Sequence, residues 1–538
     1  MESYSKKRAI GHDIDGIRPS KIPLSTFPEV NIQFSLISKE LPLSEKNCLV
    51  VCMPSSGSFE YHPIFESIDK YLDGILKSSI QKAIDANLFA SECSAISINL
   101  PPSMPYESLI IVSTGTNLNL SANFFVKLSN TLQSHISQYH INSAMIAIPF
   151  ETKSGILLNF LADLILKTIE DNRFKGIQFH AKNKNRKFED IHLLVNNEQI
   201  LSECNSKISS ITATATGLLF ARDLTTAPPN YCNPVNMAHE ILEMAKKVGL
   251  SHKVLNTKEC EELGMGAYIG VLQGSKYPAQ FVHLHYKPEG PIHHKLAFVG
   301  KGITMDTGGY NLKSHPNIQY MKSDMAGAAA VFGSAYSIGL IKPKYVEIHF
   351  ISAICENSIS QNAYLPGCVL TASNGKTIEV GNTDAEGRLT LADALVYSCN
   401  LEVDKIVDLA TLTGLSMSFF SGKYASLLGN SDEFVSTIET SGHHVGEKFC
   451  KLPLDTDYKE HIKSNIADLN NMCGSVAGVI TSTLFLSEFI REGTSYAHID
   501  MAGCSGKENV SNGFGVKTLI ELAMRHSNEE IRVTSNNI

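Results

Sequence analysis

The chain reads as an α/β protein in two parts. A smaller N-terminal α/β domain covers 1–200, a linking helix 201–226, and a larger C-terminal α/β domain 227–538, with a mainly parallel sheet flanked by helices. Three observations predict this. The 538 residues exceed what one hydrophobic core usually organises. Short apolar runs alternate with longer stretches of helical periodicity, the order that crossovers between parallel strands require. The two segments richest in glycine and charge each follow such a run, and ligands of open α/β sheets sit beyond the carboxyl ends of the strands.

Residues 1–21 are polar, with Lys6, Lys7 and Arg8 in a solvated run and no apolar stretch behind them to make a secretory signal. Strands are expected at 48–53, 109–113, 144–150 and 191–195. Helices are expected at 63–90 with a break at Gly74, at 122–140 and at 155–171. No chemical motif appears in this part. Ile208, Ile211, Ala215, Leu218, Leu219 and Ala221 form a helical stripe that stops before Pro228 and Pro229, which makes it the linking helix. Beyond it, 235–248 is an amphipathic helix. The second sheet is expected to run through 294–300, 346–354, 377–380, 405–409 and 496–501, and from His526 the chain turns polar and is expected to fray.

Composition narrows the function classes. At 43% hydrophobic and 19% charged residues the chain is of ordinary globular composition. A net charge of −8 argues against non-specific nucleic-acid binding, which needs a basic surface. No apolar run is read as long enough to cross a bilayer, so neither nucleic acid nor membrane is expected as a partner. Twelve cysteines follow no framework. Cys48 and Cys52 read as small buried hydrophobes on one face of a strand, and a reducing, cytoplasmic compartment is expected.

Chemistry concentrates in two stretches. In the first, 299–330, Lys301 stands at a strand end, Asp306 follows, Gly308 and Gly309 fold the chain tightly, Lys313 closes the loop, and Asp324 precedes a helix of small residues. In the second, Asp384, Glu386 and Arg388 alternate, which in extended chain would put them on one face. Four converging carboxylates repel one another unless cations neutralise them. Two divalent ions would do so and would also activate water. The oxygen-rich donor set suits zinc, manganese, magnesium or cobalt.

The strings VGKGITMDTGG, MKSDMAGAA and NTDAEGRL, in this order and spacing, resemble those of the leucyl aminopeptidase (cytosol aminopeptidase) family of two-metal exopeptidases. ARDLTTAPPNYCNP from Ala221, DLATLTG from Asp408, ADLNNMCGSVAGVITSTLFLSEF from Ala467 and AHIDMAG from Ala497 extend the resemblance from Arg222 to Ala523. It implies two divalent ions per subunit. Lys301, Asp306, Asp324 and Glu386 would hold the tighter ion and Asp306, Asp384 and Glu386 the other, with Asp306 and Glu386 bridging. Lys301 would ligate as the neutral amine. Lys313 would stay charged and stabilise an oxyanion, and Arg388 would hold a bicarbonate acting as general base. Met321, Thr411, Gly414, Ala502 and Ser505 would surround the substrate side chain, with Ser505 where an apolar residue is typical. The resemblance further implies peptide substrates with leucine-type N-termini and a homo-hexamer. Met305, Thr307 and Tyr310 depart from the family pattern without touching a ligand position.

Taken singly, each motif has a plainer reading: Lys301 a surface charge, Gly308-Gly309 an ordinary turn, Asp324 a helix cap, Asp384 and Glu386 a solvated acidic loop. Their joint occurrence favours a site. Gly375-Lys376-Thr377 lacks the leading glycine of a phosphate loop, because Leu370 stands there. His293-His294 and His443-His444 read as surface histidines, and Ser475 is not centred in GxSxG. The competing functions are a catalytically weak paralogue acting as a binding or structural protein, and a two-metal phosphoesterase, whose usual histidine ligands are absent from these motifs.

Overall fold

The computed structural model describes residues 30–528 apart from 38–47, 90, 117–119, 140, 174–188, 315–316, 473–476 and 508–509, together with residues 19, 21, 22 and 24. The expectations for the Lys6–Arg8 run, for Ser475 and for the last ten residues lie outside the described residues. The fold divides into two compact units: Thr26–Ala215 with His443–Gly446, and Met1–Ser25 with Thr216–Gly442 and Glu447–Ile538. The division falls inside the helix Ile208–Thr226.

The first unit holds a six-stranded sheet, ordered Asn31–Leu36, Asp190–Val195, Ser143–Ala147, Cys48–Met53, Ser108–Ser113 and Ala95–Asn99. All pairs are parallel except the last. The central strands are continuous apolar runs because helices can cover both faces, and every residue of Cys48–Met53 is buried. The two edge strands escape the sequence reading because their residues are partly solvated and their apolar pattern is weak. The helical stretch breaks at Gly74 as expected, into Ile64–Tyr71 and Ile75–Asp85, with Gly74 at φ +80°.

The larger unit is built on a nine-stranded sheet. Its path runs Phe449–Lys451, Ala425–Gly429, Ser495–Asp500, Lys405–Ala410, His294–Gly300, Val346–Asn357, Gln280–Tyr286 and Ser251–Leu255, and Gly302–Asp306 pairs beside Val346–Asn357. The middle four strands are parallel, and antiparallel pairs flank them. The α/β architecture is thus the predicted one. The strand expected at 377–380 is not in this sheet: Thr377–Glu379 lies between Val369–Thr371 and Leu469–Asn470 in a separate three-stranded sheet. The tight Ser373-Asn374-Gly375 turn, with Gly375 at φ +85°, folds it back on its own neighbour.

The helix Ala326–Ile341 is small-residue at its start for a packing reason. A Cβ on Gly327 would collide with the Leu409 carbonyl oxygen, so this end of the helix sits directly on the strand ends. Contrary to expectation, the segment Ile318–Ile341 is long and apolar enough to span a bilayer by composition, but 89% of its apolar window is buried inside the protein. It is a core helix. His526 is likewise not part of a frayed tail: it belongs to the helix Val516–Asn528, is buried, and its Nε2 lies 2.9 Å from Lys405 Nζ. The eleven described cysteines are all free and mostly buried.

Candidate active site

The predicted residues lie on four segments: 301–324 and the loops after Lys405–Ala410 and Ser495–Asp500 at strand ends of the large sheet, and 384–388 after Thr377–Glu379 of the small one. Lys301 follows His294–Gly300, and its buried ammonium lies 2.7 Å from Asp324 Oδ2 and 2.9 Å from Glu386 Oε1. It also donates to the Thr411 carbonyl at 3.1 Å. Asp306 ends the Gly302–Asp306 strand. Its Oδ1 accepts from the Gly308 N–H and from Asn357 Nδ2, both at 2.8 Å. Lys313 bridges Asp306 Oδ2 at 2.7 Å and Asp384 Oδ1 at 2.6 Å. Gly308, at φ +86°, takes the left-handed conformation that turns this loop back over Asp384.

Asp324 does not cap the following helix, whose N-cap is Met325 with no side-chain cap bond. Its Oδ1 instead accepts from the Thr411 hydroxyl at 2.7 Å. Asp384, Glu386 and Arg388 do not alternate along an extended strand. Glu386 is already in helical conformation and Gly387–Cys399 is a helix, so a turn brings the two carboxylates inward. Glycine at 387 leaves room for Lys301, since a Cβ would stand 2.5 Å from Lys301 Cε and would displace that side chain.

Asp306, Asp324 and Glu386 each offer an oxygen within 4.8 Å of the other two. The electrostatics show an uncompensated charge. Burial first, and the neighbouring Asp306 next, push Glu386 well above the ordinary carboxylate range, and Asp384 is raised for the same two reasons. Asp324 is raised by burial. Burial would pull the lysines down, but the facing carboxylates outweigh it, and both Lys301 and Lys313 are held above their usual value. Asp324 Oδ2, Asp384 Oδ1 and Glu386 Oε1 are buried, and among the described residues the two lysine ammonium groups are their close polar neighbours. Buried oxygens in this state, in excess of the cations beside them, fit a divalent-metal centre.

Arg388 is buried. Its Nη1 donates to the Asn471 carbonyl at 2.9 Å, while its Nε meets no hydrogen-bond partner among the described residues. Of the residues expected around a substrate side chain, Thr411 touches both Lys301 and Asp324. The backbone amides of Leu412, Thr413 and Ala502 all donate to Asp500, which ties the loops bearing Gly414 and Ala502 together. Met321 accepts the Asp324 amide through its carbonyl. Among the described residues Ser505 makes no hydrogen bond to the carboxylate cluster; its carbonyl accepts the Asn512 amide at 3.2 Å.

Three supporting residues were not found from sequence. Asn357 holds Asp306 and also donates to the Thr383 carbonyl at 2.9 Å. Thr383 donates to the Gly308 carbonyl and accepts the Asn311 amide, which locks the two acidic loops to each other. Asn471 accepts the amides of Gly381 and Asn382 and donates back to Asn382. The signal for Asn357 is a polar residue closing a long apolar run; for the others only the structure supplies it.

A model of the cytosol aminopeptidase family catalytic domain matches residues 219–520. A probable cytosol aminopeptidase of Prochlorococcus marinus is 45% identical over 370 residues, covering 66% of this chain and 73% of that protein. The chloroplastic leucine aminopeptidase 2 of Arabidopsis thaliana is 36% identical over 546 residues, covering 97% and 91%. Among solved structures, a mutant of tomato leucine aminopeptidase is similar with a TM-score of 0.82 and 31% identity, covering 94% of this chain and 98% of that one. The chain therefore belongs to the cytosol aminopeptidase family and is a hydrolase, an aminopeptidase.

Proposed function

We propose that the chain removes N-terminal residues, leucine-type apolar ones by preference, from unblocked peptides, using two divalent ions held by Lys301, Asp306, Asp324, Asp384 and Glu386. The observation that carries this reading is the excess of carboxylate over ammonium in the buried cluster, four carboxylates sharing two lysines. Such ions, when bound, acidify a water to a pKa of about 7 and polarise a carbonyl. The donor set of oxygens with one amine suits zinc or manganese, with magnesium or cobalt as further choices.

The chain's own residues do the rest. Lys301, an ammonium between Asp324 and Glu386, would ligate as the neutral amine once a bound dication displaces its proton. Lys313 keeps its proton and turns its charge toward the carbonyl oxygen that becomes negative during attack. Asp324 orients the substrate's N-terminal amine. Arg388, whose buried Nε has no partner among the described residues, is suited to hold a small anion such as bicarbonate, which would accept the proton of the attacking water. Met321, Thr411, Gly414, Ala502 and Ser505 form the side-chain pocket, a reading supported by the Asp500 bonds that join the loops of Gly414 and Ala502. A cytoplasmic homo-hexamer completes the proposal. The exposed Leu415, Met417 and Phe419 give such an assembly apolar surface to cover.

The test is an assay on aminoacyl fluorogenic substrates. Activity is expected to vanish on chelation, to return with manganese, zinc or cobalt, and to be absent on N-acetylated substrates. Full activity in the chelated protein, or equal rates on blocked substrates, would refute the mechanism. Sedimentation of the native protein checks the hexamer.

A further inference from the structure

The Val346–Asn357 strand reaches the catalytic carboxylates at Asn357, but its other end carries a different set of ligating side chains. It pairs antiparallel with Gln280–Tyr286, His349 opposite His285 and Ile351 opposite His283. Side-chain alternation therefore puts His283, His285, Glu347 and His349 on one face of the sheet. His285 Nε2 lies 2.8 Å from Glu347 Oε1, and His349 Nε2 lies 3.5 Å from the same oxygen. One ligating atom from each of these three residues is within 4.8 Å of the other two. The two imidazoles stack in parallel, with centroids 4.4 Å apart. Zinc bonds of ~2.0–2.1 Å in a tetrahedron set neighbouring donors roughly 3.3–3.4 Å apart, so small side-chain shifts would close the set.

The residues behind the cluster orient it. His349 Nδ1 is 2.9 Å from His283 Nε2, and His283 Nδ1 is 3.1 Å from the Tyr397 hydroxyl. With His349 Nδ1–H donating to His283 and His283 Nδ1–H donating to Tyr397, the lone pair of His349 Nε2 is left facing Glu347. This is how metal-binding histidines are held by the groups behind them. The opposite polarity would leave the Nε2 hydrogen of His349 with only the 3.5 Å contact to Glu347, too long for a good hydrogen bond.

Selectivity follows from the neighbours. Lys253 stands opposite His283 on one adjacent strand, and Lys295 opposite Glu347 on the other. With one carboxylate and two nearby ammonium groups, charge alone does not attract a hard cation such as magnesium or manganese. An ion that bonds to imidazole nitrogen is a different case. The His285 side chain is 26% exposed and leaves a way in. His349 and Asn357 are eight residues apart on one strand, roughly 26 Å, so the cluster is separate from the catalytic loops.

We propose that His285, Glu347 and His349 form a second metal site, for zinc or a like imidazole-binding divalent ion, which clips the Gln280–Tyr286 strand to Val346–Asn357. Two His and one carboxylate leave the fourth position to water. Binding there would stabilise the outer part of the sheet by mass action.

The test compares the full-length chain with His285→Gln and His349→Gln. After equilibration with zinc and desalting, mass spectrometry is expected to find one zinc equivalent fewer per chain in each variant, with unchanged manganese content and unchanged aminopeptidase kcat/KM. Zinc content equal to that of the parent in a folded His285→Gln protein overturns the site. Because His349 is buried and its replacement can disturb folding, a second measurement needs no variant. Anomalous scattering at the zinc edge from zinc-soaked crystals of the unaltered chain is expected to peak between His285, Glu347 and His349. Zinc found only among the carboxylates of the catalytic loops overturns it as well.

Discussion

Lys301 and Lys313 divide the four carboxylates between them, the first pairing with Asp324 and Glu386, the second with Asp306 and Asp384. Their replacements should nevertheless differ. Lys313→Ala is expected to lower kcat on the order of 10²–10³-fold, about 2.7–4 kcal/mol, as for the loss of one oxyanion donor, and to keep its metal. Lys301→Ala is expected to lose metal and activity together. Metal analysis beside kcat and KM for both variants checks the assignment, and metal loss in Lys313→Ala with retention in Lys301→Ala would reverse the roles. Glu386→Ala should lose more metal than Asp384→Ala, because Glu386 is fully buried among the other ligands while the Asp384 side chain is 32% exposed. Gly387→Ala should mimic Lys301→Ala without removing a ligand, since its methyl group meets the lysine stem. Mass spectrometry of bound metal tests both. At this scale the charged residues were legible because they lie in contiguous strings. Asn357, Thr383 and Asn471 were not, because an asparagine or threonine near a loop reads equally well as a turn residue, and its partners here are distant in sequence.

The elements that position the site are tuned by contact with strand ends. Gly327→Ala would drive the Ala326–Ile341 helix off the Leu409 carbonyl, at a typical overpacking cost of about 1–3 kcal/mol, and should lower activity by carrying Asp324 with it. Chemical denaturation alongside kcat/KM measures both effects. Beneath the same loops, His498 Nδ1 lies 2.7 Å from Asp408 Oδ1, and both side chains are fully buried. Burial would depress this imidazole, but Asp408 outweighs it and holds the pKa above the ordinary histidine value. Asp408→Ala is expected to cost about 3–5 kcal/mol, as for breaking one partner of a buried pair, seen as a lower denaturation midpoint. The sequence disclosed central strands built on apolar runs, such as Cys48–Met53 and 296–299. It missed Gln280–Tyr286, where two histidines interrupt the run, and it misplaced Thr377–Glu379, whose three residues carry no information about which sheet they join.

For the whole molecule, metal binding should appear as stability. An ion present at 100 times its Kd stabilises the folded chain by about 2.7 kcal/mol, so chelation is expected to lower Tm and re-addition to restore it. An unchanged Tm in differential scanning calorimetry would show that the carboxylate centre binds nothing at these concentrations. The two-part α/β organisation was legible because both sheets have apolar, helix-covered centres. The larger unit's activity was legible through its motifs, whereas the smaller unit's sequence offers a fold and no chemical motif, since packing patterns encode architecture and not chemistry.

The cysteines carry a different consequence. Burial pushes Cys48, Cys232, Cys260 and Cys504 up to about 12, and Cys204 to about 11, far from the range in which a thiolate forms at neutral pH. Since the thiolate is the reactive species, these sulfurs are chemically silent while the chain is folded. They become reactive when their surroundings open. Pulsed alkylation followed by peptide mapping would therefore turn them into clocks placed through both units, with Cys48 and Cys204 timing the opening of one core and Cys232, Cys260 and Cys504 that of the other.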